Sequence, residues 1–288
     1  MSPAPLFELG ITVGTKCNFR CAHCIAGRES RSVGLSAGEV ALLVRTIREY
    51  SPPDVVFTGG EPTLYPSVIR KLASLTSRRG GPRFRMITNG HFATTLASAR
   101  RTLRALSPLS SVQLSYDRFH AEFLPADNVA NLNAACEELH IRFSVVASIE
   151  SPLDMLFWEQ RKLLPGVDIH FQKVIPMGRA AKNKLAYRYP DFDPSVLDKK
   201  CPDLGKIVYN CGSGFTVCCS FLADRSGIGK YVHPTLQEHL DSPFYELISR
   251  RTFGEMLPIA GFNRKKLSAS ESSPCALCLK LVPRILKR

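Results

Sequence analysis

Short apolar or β-branched runs alternate with longer amphipathic segments along most of this chain. The runs at residues 9–13, 54–57, 84–87, 111–114, 142–148 and 167–174 read as strands. Between them, residues 36–50, 65–79, 94–106, 128–139 and 153–164 carry the spacing of helices packed on one side. Ser36 followed by Glu39 predicts a capping box at the start of the first helix. Six strand–helix units, the last incomplete, imply an α/β fold with a parallel sheet and right-handed crossovers. Six strands are fewer than the eight of a closed barrel, so a doubly wound sheet and an open, incomplete barrel both fit.

After Ala180 the pattern changes. Residues 180–203, rich in Pro, Asp and Lys, read as a loop or linker. Six of the ten cysteines follow from Cys201 onward, among short strand-like pieces at 206–209 and 215–218. The expected organisation is a first domain over residues 1–193 and a small cysteine-organised domain over 194–288. No internal repeat is visible.

Composition narrows the class. With 288 residues and 44% apolar content the chain can bury a large core without staples. It shows no signal peptide and no apolar run of the roughly 20 residues that cross a bilayer. A cytoplasmic protein without membrane contact is expected. Ten cysteines in a reducing compartment point to metal ligation or redox chemistry ahead of disulfides. The net charge of +13 gathers at Arg78, Arg79, Arg83 and Arg85, at Arg100, Arg101 and Arg104, at Arg264, Lys265 and Lys266, and in the tail. It suits an acidic peptide or a phosphorylated small molecule, or simply solvated helix faces. Without an aromatic-interleaved basic stripe, nucleic acid is an unlikely partner.

Cys17, Cys21 and Cys24, spaced C-x3-C-x2-C, follow the first strand. On a helix they would share one face, but Gly10, Gly14, Gly27 and Gly34 around them mark a loop. Loops at the carboxyl ends of parallel strands are where such folds place their sites. Three soft thiolates suit an iron–sulfur cluster with one open iron, and suit a four-ligand structural zinc poorly. Gly59, Gly60, Glu61 and Pro62 end the second strand: the glycines allow close backbone approach and Glu61 offers an acceptor for an ammonium group.

The two motifs together resemble the radical S-adenosylmethionine (radical SAM) superfamily, whose fold is a partial (β/α)6 barrel. The resemblance implies a [4Fe–4S] cluster on the three cysteines and S-adenosylmethionine chelated to the open iron. It places Gly59 to Pro62 at the methionine amino group. Asn89 and Ser115, ending strands three and four, would face the cofactor. Ser148 and Glu150 would lie near its ribose or carboxylate, and Met177 near its adenine. It also implies an electron donor of flavodoxin or ferredoxin type.

Cys275 and Cys278 form a second C-x2-C, which a zinc ribbon would also allow. The segment resembles the twitch or SPASM domain of the same superfamily. That resemblance implies one auxiliary [4Fe–4S] cluster on Cys201, Cys219, Cys275 and Cys278, with Cys211 an alternative to Cys201. Cys136 reads as core, and Cys218 as a hydrogen-atom donor or a buried hairpin residue. The implied chemistry is reductive cleavage of S-adenosylmethionine, hydrogen-atom abstraction from substrate, and loss of an electron to the auxiliary cluster and of a proton to a base. Asp117 and His120, beside Tyr116 and Arg118, are candidates for that base, with a helix N-cap and a surface histidine as the bland readings. Gln172 and Lys173 are further candidates for substrate contact. The substrate reads as a peptide or protein residue to be cross-linked, epimerised or oxidised. Against it, the chain enters its first strand without a peptide-recognition domain, and the alternative is a small molecule such as an aminocyclitol. A non-enzymatic iron–sulfur or zinc protein leaves the Gly59–Pro62 motif unexplained.

Overall fold

The computed structural model describes residues 8–25, 33–154, 166–217 and 229–287. Strands β1 (Glu8–Thr12), β2 (Asp54–Thr58), β3 (Arg83–Thr88), β4 (Ser111–Ser115), β5 (Arg142–Ile149) and β6 (Asp168–Lys173) lie side by side in chain order, all parallel. Helices α1 (Ala37–Tyr50), α2 (Pro66–Thr76), α3 (Leu96–Ala105) and α5 (Ala126–Glu138) fill the crossovers. A four-residue helix, α4 (Arg118–Ala121), precedes α5. The helix expected over 153–164 falls almost wholly outside the described residues.

Leu9, Ile11, Val55, Phe57, Phe84, Met86, Val112 and Leu114 all turn to one face of the sheet. There they are buried with Leu43 and Ile47 of α1, Leu72 of α2 and Leu132 of α5. Each such side chain contributes roughly 1.5–3 kcal/mol of burial, which makes this layer the main source of stability. The capping box at Ser36 forms as expected, with the Glu39 backbone N–H donating to Ser36 Oγ and the Ser36 N–H to Glu39 Oε2.

The sheet does not stop at six strands. β7 (Lys206–Asn210) pairs parallel to the outer edge of β1, and β8 (Gly214–Thr216) returns antiparallel. The strand order β6-β5-β4-β3-β2-β1-β7-β8 leaves β6 and β8 as edges, so the expected open, partial (β/α)6 barrel is observed and carries an added hairpin. Glu39 fastens that hairpin to α1: its Oε1 accepts from the Tyr209 hydroxyl at 3.0 Å and the Gly212 N–H at 2.8 Å. The sheet therefore runs through residues expected to belong to the second domain.

The segment read as a linker is partly ordered too. It opens within α6 (Gly178–Lys182) and includes a 3-10 turn, Pro194–Asp198, whose Val196 and Leu197 enter the core. Helices α7 (Leu236–Leu240), α8 (Pro243–Arg250), α9 (Phe253–Ile259) and α10 (Pro274–Ile285) complete the chain. No helix of the described residues is long and apolar enough to cross a membrane.

Candidate active site

The cysteine loop lies at the carboxyl ends of the strands and is gripped from three sides. From β2, the Gly60 and Glu61 N–H groups donate to the carbonyls of Gly14 and Lys16 at 2.9 and 2.8 Å. A Cβ on Gly60 would lie 2.2 Å from Lys16 O, and one on Gly59, at φ +142°, 2.4 Å from Gly14 O. Only glycine permits this contact. From the start of α2, the Tyr65 hydroxyl accepts the Lys16 N–H at 2.9 Å and donates to Val33 O at 3.3 Å, while its ring fills the space over Gly14 and Gly34. From the end of β6, the Arg179 N–H donates to Cys24 O at 2.9 Å and Asn183 Nδ2 to Ala22 O at 2.9 Å. Gly178, at φ +52°, lets that turn approach Ile25 O. Tyr65, Arg179 and Asn183 are functional residues that sequence reasoning missed; nothing in their spacing announces them.

Cys21 is buried, Cys24 half-buried and Cys17 exposed. Burial, then the neighbouring Cys24 and Cys17, push the Cys21 thiol up to about 12. Burial raises Cys17 as well, against a stabilising N–H from Phe19. Cys17 and Cys21, both raised, become thiolates more readily beside a multiply charged metal centre. Among the described residues, His23, Asp117 and His120 each bring a potential ligand atom within 4.8 Å of the others.

The Glu61 carboxylate is 1% exposed and hydrogen-bonded within the protein. Oε1 accepts from the Thr63 N–H, the Thr63 hydroxyl and the Thr88 hydroxyl at 3.1, 2.6 and 2.7 Å, and Oε2 accepts from the Asn89 N–H at 2.8 Å. Burial nevertheless raises its pKa. The group ties the end of β2 to the end of β3. Pro62 begins the 3-10 turn that Glu61 caps.

Asn89 is brought to the cysteines: its Nδ2 donates to Asn18 Oδ1 at 2.7 Å and lies 3.8 Å from Cys17 Sγ. Ser115 ends β4 opposite Val146. Ser148 is buried, and its hydroxyl accepts from Gln172 Nε2 at 3.0 Å. Glu150 pairs with Arg118. Met177 is buried immediately before α6.

Asp117 is the N-cap of α4. Its Oδ1 accepts from the N–H groups of Phe119 and His120 and from His120 Nδ1 at 3.0, 3.1 and 2.8 Å. Its Oδ2 accepts from the Ser148 N–H at 3.0 Å and lies 3.6 Å from His23 Nε2. Burial pushes this carboxyl up, but the His120 hydrogen bond and the two imidazoles outweigh it and hold it below the usual range. Asp117 caps α4, fixes β5 and touches the cysteine loop through His23, whose ring stacks on Phe119 at 4.4 Å. His120 is mostly buried, not the surface residue of the bland reading. With its Nδ1 bonded to Asp117, its Nε2 is the nitrogen left to take a proton.

The C-terminal cysteines are less closely held. Cys275 and Cys278 share one face of the first turns of α10, and both they and Cys201 are half-buried. Cys201 acts electrostatically on Tyr245 and Cys278 on Tyr231, whose ring meets Phe244 at 5.2 Å, so both border one aromatic layer. Cys275 acts likewise on Tyr189. Cys211 is buried beside Glu39, which together with burial pushes its thiol up to about 11; it belongs to the contact between β7 and α1. Cys136 is fully buried, as expected of core. Cys218 and Cys219 lie outside the described residues.

Comparison with known proteins agrees with this geometry. Residues 11–137 match the Radical SAM superfamily, and this stretch is a radical SAM domain. The chain resembles a probable GTP 3',8-cyclase of Metallosphaera sedula, 36% identical over 99 residues, which cover 32% of this chain and 30% of that one. It resembles the GTP 3',8-cyclase of Campylobacter fetus at 23% identity over 64% of this chain and 55% of that one. The matched regions thus span between about a third and about half of these relatives' length. Among solved structures, native anSMEcpe with bound AdoMet and Cp18Cys peptide has the same fold, with a TM-score of 0.57 over 99% of both chains at 13% identity.

Proposed function

We propose that the protein is a radical SAM enzyme that removes a hydrogen atom from its substrate and releases an oxidised or rearranged product. The observation that carries the proposal is the three-thiol loop clasped by the Gly59–Gly60 backbone, Tyr65 and the α6 turn. When bound there, a [4Fe–4S] cluster drawing electrons from a flavodoxin- or ferredoxin-type donor supplies reductive cleavage of S-adenosylmethionine to a 5'-deoxyadenosyl radical.

The chain's own residues prepare the site. Gly59 and Gly60 bring β2 against the loop, where the Gly59–Pro62 segment, with Glu61, would receive the methionine ammonium. Asn89 and Ser115 line the strand ends, Ser148 and Glu150 stand at β5, and Met177 covers the side at β6. Asp117 holds His120 in the orientation that leaves Nε2 to receive a substrate proton. Cys201, Cys275 and Cys278, with Cys219 of the undescribed segment, would hold a second cluster, which would supply an electron acceptor.

Anaerobically reconstituted protein given S-adenosylmethionine and dithionite should release 5'-deoxyadenosine and methionine, and Cys17→Ala should not. If the unaltered protein releases neither product, the proposal is wrong.

A further inference from the structure

A cluster on Cys17, Cys21 and Cys24 needs an outside source of electrons, and electron tunnelling weakens steeply with distance. A protein donor therefore has to dock on surface close to the cysteine loop. One flank of that loop is built by the turn after β6. The Arg179 N–H donates to Cys24 O and Asn183 Nδ2 to Ala22 O, each at 2.9 Å, and Arg179 Nη1 reaches Cys21 O at 3.4 Å. Gly178 stands against Ile25 O. These contacts join residues 178–184 and 20–25 into one surface.

The surface carries charge of one sign. Arg20, Lys182 and Lys184 are exposed and Arg179 is half-buried. Among the described residues none of the four meets a carboxylate. Residues 169–190 hold five Lys or Arg and no Asp or Glu, and residues 14–25 hold two and none. The undescribed residues 26–32 add Arg28 and Arg31 against Glu29. Elsewhere such cations are paired, as Arg83 is with Asp54, Arg85 with Glu8 and Arg100 with Glu138. Ile25, 43% exposed, adds an apolar contact beside Gly178. Lys184 supplies a second sign. Its backbone is left-handed at φ +56°, closing α6 where the Leu185 N–H donates to Ala180 O. Glycine is what that position favours, so a lysine held there at some strain points to a use for its side chain.

We infer that the surface formed by Arg20, Ile25, Arg179, Lys182 and Lys184 docks the electron donor, a small redox protein with carboxylates around its flavin or iron–sulfur centre. The inference rests on the radical SAM reading and gives its electron supply a place. Unpaired cations attract an acidic partner across a Debye length and orient it, which raises the encounter rate. Small, charge-guided interfaces are the ordinary form of redox encounters. An acidic peptide substrate suits the same charges less well. It would have to reach the side where Cys17 meets Asn89, whereas these cations border the carbonyls of Ala22 and Cys24.

The test uses the reconstituted full chain and a purified flavodoxin with an acidic surface around its flavin, binding being read from flavin fluorescence at low and high salt. The Kd should rise steeply with salt, and Lys182→Glu combined with Lys184→Glu should raise it at least tenfold. Flavodoxin-driven cleavage of S-adenosylmethionine should fall in step, while dithionite-driven cleavage stays unchanged. Lys184→Gly should weaken binding at least twofold with an equal or higher Tm, which separates the charge from the fold. Charge reversal at Arg264 and Lys265 should change nothing. An unchanged Kd in the double variant, an equal loss from reversal at Arg264 and Lys265, or no salt-sensitive binding of this flavodoxin or of an acidic ferredoxin overturns the inference. Loss of binding to a glutamate-rich peptide with flavodoxin binding intact also overturns it and makes the surface a peptide dock. Absence of 5'-deoxyadenosine with dithionite defeats the underlying reading instead.

Discussion

The two cysteine sets of this chain are held in different ways. Cys17, Cys21 and Cys24 sit on a loop whose backbone is fixed by hydrogen bonds from β2, Tyr65 and the turn after β6. Cys275 and Cys278 take their relation from one helix, with Ser273 at its N-cap making no side-chain cap, while Cys201 arrives from a separate segment. The first set is placed by tertiary contacts. The second pair is placed by local helical geometry, its spacing of three residues putting both thiols on one side.

The sharpest way to break this contrast is Gly60→Ala. Its Cβ would lie 2.2 Å from a backbone oxygen that has nowhere to go, so the expected cost is about 3 kcal/mol or more. S-adenosylmethionine cleavage should fall at least tenfold while iron bound by the C-terminal cysteines persists. Loss of all iron would show that the two sites assemble as one.

Next in size is Cys275→Ala. Iron should drop from about eight to about four per chain while 5'-deoxyadenosine still forms. Zinc with about four iron in the unaltered protein would make the C-terminal set a zinc site instead.

Asp117→Asn sharpens the account of the first region. Its carboxyl lies below its ordinary value in the folded chain, so its stabilisation is complete above the unfolded pKa of about 3.9 and is lost as pH falls through the lower folded value. The substitution should cost about 2 kcal/mol at neutral pH and little in strong acid. A loss of equal size at every pH would remove the charge from the explanation.

The smallest effect is expected for Tyr65→Phe, which deletes the acceptor of the Lys16 N–H and the donor to Val33 O. About 1–2 kcal/mol of stability should go, read as a lower Tm with slower cluster reconstitution. The matching Tyr245→Phe near Cys201 loses one long bond to Leu204 O at 3.3 Å and should leave reconstitution of the first site unchanged.

Much of the barrel was legible from periodicity, because short apolar or alternating strands recur between helices that carry one apolar stripe. What misled was β7: five residues beyond a Pro- and Asp-rich stretch resemble the start of something separate, and only pairing with β1 makes them barrel.

The sequence by itself determined which groups could do chemistry: three thiols at loop spacing, a glycine pair at the next strand end, and a carboxylate beside a histidine. Only the tertiary structure decided how each is used. Glu61 and Asp117 have side chains that could serve a ligand or the protein equally well, and the choice depends on donors such as the Asn89 and Ser148 N–H groups, 28 and 31 residues away in sequence. A buried carboxylate is held by the donors around it, and no local pattern records donors that arrive from other strands.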